Sequence, residues 1–209
     1  LSVDEYFETE TDQRQVFKNF NFEIFETIKK LEIFTEQENE HLVNKKKKFR
    51  ENIKQHTPTS YKREFERLMI EVSWKSSQIE GNTYDLLDTE QLLKYNVLAT
   101  KKTKEEAIML LNHKAAIEYS RDYAKEFKQL SAKNITELHT LLTKKLGVAK
   151  NLRKRMVRIT GTNYVPPQNI FLIEEYLNKT VALINAKKNV FEKALLTVLF
   201  ISYIQPYED

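Results

Sequence analysis

Two short clusters carry the residue types that could do chemistry. The first is Ser76-Ser77-Gln78-Ile79-Glu80-Gly81-Asn82. If 60–81 is a helix, Phe65, Leu68, Met69, Val72, Ser76 and Ile79 share one core-facing arc, with Glu80 on its edge and Gly81 as the stop. A carboxylate at the negative end of a helix dipole is disfavoured by about 0.3–1 kcal/mol unless a cation meets it. Burial without a partner adds a larger cost. Two readings of Glu80 follow: an inward acid paired with an Arg or Lys, or a frayed, exposed acid beside a turn. The second cluster is Gln205-Pro206-Tyr207-Glu208-Asp209, behind a strongly apolar run. The Gln205 carboxamide can hydrogen-bond a hydroxyl or a phosphate. It cannot take a proton at neutral pH, so it cannot act as a general base, a role worth about 10²–10⁴ in rate. His113 and His139 are bases by type, and His139 reads as a structural histidine on its helix. Asp209 offers a single carboxylate to a cation.

The elements that must position these clusters are helical. With three Gly and four Pro in 209 residues, few tight turns are available, and an all-β fold would need many. Residues 4–50 read as one or two helices, with Phe17, Phe20, Phe22, Ile24, Phe25, Ile28 and Leu31 as the apolar stripe. Thr57-Pro58-Thr59-Ser60 is a break and a helix start. Asp88 with Gln91 three residues on resembles a capping box. Residues 101–104 form a connection, and 105–127 form a helix with Ile108, Leu111, Ala115 and Tyr119 on one face. The next helix covers 135–146, stopped by Gly147. Residues 156–167 alternate around Thr160-Gly161-Thr162-Asn163 and read as a short β-hairpin. Residues 171–186 carry a stripe of Leu172, Ile173, Tyr176, Leu177, Thr180, Leu183 and Ile184. Residues 191–204 are apolar nearly all round, the mark of a buried central helix. The class is mostly α.

Hydrophobic residues make up 41% and charged residues 31%, which excludes a disordered chain. The absence of cysteine excludes disulfides and thiolate metal sites and fits a reducing cytoplasm. The longest apolar run, 194–204, is shorter than the roughly 20 residues that cross a bilayer, so no membrane partner is expected. The net charge is +4. The run Lys45-Lys46-Lys47-Lys48 reads as a solvated helix face rather than a nucleic-acid surface, because no aromatics interleave with it.

The Ser76–Asn82 segment resembles the inhibitory motif of Fic proteins: Ser or Thr, three residues, Glu, then Gly or Asn. Asn112 and Ala116, then Ile135, Leu138 and His139, the stretch from Gly147 to Arg153, and Pro166-Pro167 follow in the order that Fic domains show. Gln205-Pro206-Tyr207-Glu208-Asp209 is similar to the opening of the family's active-site motif, with Gln where the family has His and Tyr where it has Phe. The resemblance covers about 60–209. It implies the Fic (Fido) helical fold with one hairpin flap, an N-terminal helical region at 1–104 that holds the inhibitory helix, and a Fic core at 105–209 that stops within its motif. The phosphate-binding loop and two arginines that follow in the family are expected to lie in a longer protein.

The resemblance further implies a protein nucleotidyltransferase, moving AMP from ATP with Mg²⁺ to a hydroxyl side chain of a target protein. Glu80 would be the inhibitor, supported by Ser76 and Gly81. Arg158, Ile159, Thr160, Gly161, Thr162 and Asn163 would form the target-docking flap. Asp209 would be the Mg²⁺ ligand, and Gln205 would stand at the base position. Gln205 leaves three readings open: altered or lost chemistry, a substituted residue, or a base supplied from elsewhere. The alternative function is a catalytically inactive Fic-fold regulator that acts through nucleotide or protein binding. The target stays undefined, and a homodimer stays open.

Overall fold

A computed structural model describes residues 2–10, 13, 18–159 and 162–208. Its helices are α1 (Val3–Glu8), α2 (Ile24–Lys30), α3 (Glu36–Gln55), α4 (Pro58–Ile79), α5 (Leu86–Tyr95), α6 (Lys104–Asp122), α7 (Ala132–Leu142), α8 (Ile170–Ala186) and α9 (Val190–Ile204), with a 3₁₀ turn at Glu126–Lys128. Most starts are written into the sequence by a side chain that accepts from an orphan N–H of the first turn. Thr35, Thr103 and Ser131 do so in capping boxes with Glu38, Glu106 and Asn134. Thr57 caps α4, with Pro58 at its first position, as the sequence indicates. The start of α5 lies three residues earlier than expected: Asp85 is the cap, and Asp88 is the residue whose N–H it accepts.

Two cores hold six of these helices, α2, α8 and α9 in one and α4, α5 and α6 in the other. In one, Phe20 and Phe25 pack on Ile173, Tyr176, Leu196 and Phe200 of α8 and α9. The stripe expected for α8 is the one buried, except that Leu172 is only partly covered. In the other, Ile70 of α4, Tyr84, Leu92 of α5, and Ala107 and Leu110 of α6 meet.

Several expectations need correction. The described residues of 4–50 give three helices rather than one or two, and α3 buries none of its residues. The buried face of α4 is Met69, Ile70, Ser73 and Ser77, whereas Leu68 and Val72 are exposed and Ile79 is 84% exposed. On α6 the buried residues are Ala107, Leu110, Asn112 and Ala116, while Leu111 and Ala115 face out. On both helices small residues take buried positions, Ser73 and Ser77 on α4 and Ala107 and Ala116 on α6, beside Met69, Ile70 and Leu110, and a hydrophobicity count gives such residues little weight. α6 ends at Asp122 and α7 at Leu142, both short of their expected stops. α9 is buried at Leu196, Phe200 and Ile204 but leaves Val198 and Leu195 exposed, so it is covered on one face rather than all round.

The 156–167 segment makes a turn, in which the Thr162 N–H donates to Ile159 O. Among the described residues it does not pair with itself as a hairpin. Val165 instead bridges to Asn19 in parallel, its N–H donating to Lys18 O at 2.7 Å. Tyr164 ties the segment to α9 by stacking on Tyr203 and donating to Tyr203 O. These anchors to other parts of the chain take the place of a ladder. Thr160 and Gly161, at the expected flap tip, lie outside the described residues, as does Phe17.

Candidate functional site

α9 ends in a left-handed residue. Gln205 has φ 48° and ψ 66°, its N–H donates to Ile201 O, and its side-chain amide donates to Ser202 O at 2.9 Å. Pro206 cannot continue the helix. The next ring, Tyr207, is buried against α7: it stacks on His139 at 3.8 Å between centroids, and its hydroxyl pairs with Thr136 Oγ1 at 2.9 Å. His139 is therefore a packing partner of the turn that carries Gln205. Asn112, on α6, donates to the carbonyls of Leu142 and Lys144 and so fixes the end of α7.

Arg153 lies beneath this turn and is 1% exposed. Its guanidinium donates to the carbonyls of Gln205, Ile204, Pro167 and Arg155, and its backbone N–H donates to Pro206 O. Burial pushes its pKa below the ordinary arginine value, yet a guanidinium remains a cation.

α4 ends differently. Asn82 N–H donates to Ser77 O and Gly81 N–H donates to Gln78 O, the two bonds of a Schellman motif, with Gly81 at φ 86°. Glu80 is the C-cap and is exposed. No ion pair involves Glu80 among the described residues, because the cap position lies beyond the buried part of α4, where water solvates the acid. The turn itself is held firmly. Asn82 donates to Glu106 O and accepts from Tyr84 N–H. Trp74 donates to Tyr84 O. The Glu106 carboxylate accepts from the N–H and hydroxyl of both Thr83 and Thr103. These bonds, that of the Thr83 hydroxyl foremost, hold its pKa down at about 2. Ser76 bonds to His113, as does Ser77. His113 thus ties α4 to α6 and does not line the cavity described next.

That cavity, about 640 Å³, brings the two helix ends together. Glu80, His139, Ser202, Gln205 and Tyr207 line it, with Phe127, Leu138, Ile184 and Ile201 among its apolar walls and Lys193 towards the start of α9. Its size suits a small organic ligand, and a few polar groups on an apolar floor are what such sites use for orientation. Arg158, Ile159, Thr162 and Asn163 do not line it. Asp209 lies outside the described residues. Among those described, no group of three or more His, Asp or Glu side chains could hold a metal ion. Sequence reasoning passed over Arg153 and Glu106. The Thr103-x-x-Glu106 capping box was a legible signal for the second. Arg153 was marked only as the end of the stretch from Gly147 to Arg153, with no role attached.

No protein-family model matches the sequence, and no curated protein matches it. Solved structures do. The chain is similar to Fic-1 (aa 134–508) from C. elegans, with TM-score 0.63 and 20% identity over 76% of this chain and 47% of that one. It is similar to a Fic domain containing signaling protein from Bacteroides thetaiotaomicron, with TM-score 0.64 and 18% identity over 76% of this chain and 63% of that one. A Fic family protein from Desulfovibrio desulfuricans gives TM-score 0.59 and 16% identity over 73% of this chain and 45% of that one. The chain has the Fic fold. It spans between 45% and 63% of the length of these three structures.

Proposed function

We propose that this Fic-fold chain carries a protein nucleotidyltransferase site that Glu80 inhibits and that Gln205 deprives of its general base. One observation supports the reading above the others: Glu80 and Gln205, 125 positions apart in the sequence, line one cavity at the ends of two separately anchored helices. In the reaction, a Ser, Thr or Tyr hydroxyl oxygen of a target protein attacks the α-phosphorus of ATP. The bond to the bridging oxygen breaks, pyrophosphate leaves, and the hydroxyl proton passes to a base. A carboxylate on the cavity wall disfavours a triphosphate beside it by like-charge repulsion. The Gln205 amide can orient a hydroxyl but leaves its proton in place. Bound Mg²⁺ would screen the phosphate charge.

The second reading, a binding protein that takes nucleotide without transferring it, is favoured by Gln205 itself. Its amide is already engaged with Ser202 O and has no proton-accepting role. The test uses the intact protein with ATP labelled on the α-phosphate and Mg²⁺, comparing Glu80→Gly with Glu80→Gly combined with Gln205→His. The expected result is label on protein only with the second variant. Label with both would mean that another group serves as base. No label with either, in the presence of measurable ATP binding, would favour the binding protein.

A further inference from the structure

A buried arginine whose N–H donors go to backbone carbonyls, with, among the described residues, only the more distant Glu208 carboxylate to offset its charge, needs a reason. Arg153 is 1% exposed, and no ion pair involves it among the described residues. Its donors go instead to backbone carbonyls of three separate stretches: Arg155 on its own segment, Pro167 after the 156–165 turn, and Ile204 and Gln205 at the end of α9. The last two are carbonyls that a helix C-terminus leaves without intrahelical partners, at the negative end of its dipole. A planar guanidinium with five fixed donors can serve several such carbonyls at once, which an ammonium on a flexible stem cannot. The Arg153 N–H also holds Pro206 O at 3.0 Å. Residue 205 is thus gripped from beneath through the carbonyls on either side of it, while its backbone stands at φ 48°, a region that L-residues disfavour.

We infer that Arg153 is the positioning residue of the site: it holds the Gln205-Pro206 turn left-handed and so aims the side chain at position 205 into the cavity. This deepens the transferase reading for the same site, but its first test needs no nucleotide. The Cα and Cβ chemical shifts of residue 205 report its φ, and the side-chain amide resonances of Gln205 report its bond to Ser202. Both are measured in Arg153→Lys, Arg153→Met and, as a control in the other core, Leu92→Ala. The expected result is loss of the left-handed shift signature in both Arg153 variants and its retention in Leu92→Ala. If Arg153→Met does not fold, Arg153→Lys decides, because it keeps the charge and loses the fork. An unchanged signature in a folded Arg153 variant, or equal loss in Leu92→Ala, overturns the inference. In the Glu80→Gly, Gln205→His background, Arg153→Lys is expected to lower kcat for labelling at least about tenfold with KM for ATP held. Failure of labelling altogether would count against the transferase reading and leave the shift result standing.

Discussion

The two helix ends that meet at the cavity solve the same problem with opposite means. α4 closes with Gly81 at φ 86°, where the absence of a Cβ makes the left-handed turn inexpensive, and a Schellman pair of bonds satisfies its last carbonyls. α9 closes with Gln205 at φ 48°, a residue that does not favour that region, and a guanidinium from a distant segment takes up its carbonyls. The two bonds that close the first end are local, within residues 77–82, although Asn82 is also tied to Glu106 O on α6. The second end has its last carbonyls met by a guanidinium 52 positions away in the sequence. The helix stop on one wall is closed by its own sequence, whereas that on the other exists only when residues 153, 167 and 205 are assembled.

That contrast can be broken most forcefully at the second end. Arg153→Met leaves four buried or half-buried carbonyls without their donor, and stability is expected to fall by about 3 kcal/mol or more. Urea unfolding followed by circular dichroism measures this. At the first end, Gly81→Ala puts a Cβ into open space, since nothing lies within 4 Å of it. The cost is therefore backbone only, about 1–2 kcal/mol. Gln205→Gly is expected to leave stability unchanged or raise it by up to about 1 kcal/mol, the opposite sign for the mirror substitution. Equal signs for the two would mean that Gln205 is not held in a costly conformation.

The acid limb of stability sharpens the comparison further. Glu106 anchors the turn after α4, and its pKa is depressed from 4.5 to about 2 by the Thr83 and Thr103 bonds. A depressed carboxylate binds fewer protons in the folded state than in the unfolded one. Its contribution is therefore complete above pH 4.5 and is lost as pH falls through about 2. Glu106→Gln is expected to lower stability by about 1 kcal/mol at neutral pH and to flatten the decline between those limits, as read from thermal unfolding against pH. The smallest effect on stability is expected from Glu80→Gly, within about 0.5 kcal/mol, because the side chain is exposed and makes no ion pair among the described residues.

What was legible in the sequence follows the same division. Local signals were read well: the α4 start at Thr57-Pro58, the Gly81 stop, and the stripe of α8, whose large apolar residues are the ones that pack. The faces of α4 and α6 were misread, because Ser73, Ser77, Ala107 and Ala116, residues that carry little hydrophobic signal, are among the buried ones. The 156–167 hairpin was misread because Val165 finds its partner at Asn19, far outside any local window. Glu80 and Gln205, singled out by residue type and motif, both line the cavity. Glu80 is exposed there at the C-cap of α4, and no ion pair among the described residues involves it. The role of Arg153 was invisible, since it lies in carbonyls that only the folded chain presents.

The most direct test of the shared cavity follows the Gln205 side-chain amide by nitrogen-15 NMR while ATP and Mg²⁺ are added to the protein and to its Glu80→Gly variant. The account predicts that the Gln205 resonances shift in the variant and saturate at an ATP concentration at least about tenfold lower than in the parent, as expected when a like charge is removed from the site. Identical titrations of the two proteins, or perturbations that leave Gln205 and its cavity neighbours untouched, would contradict it.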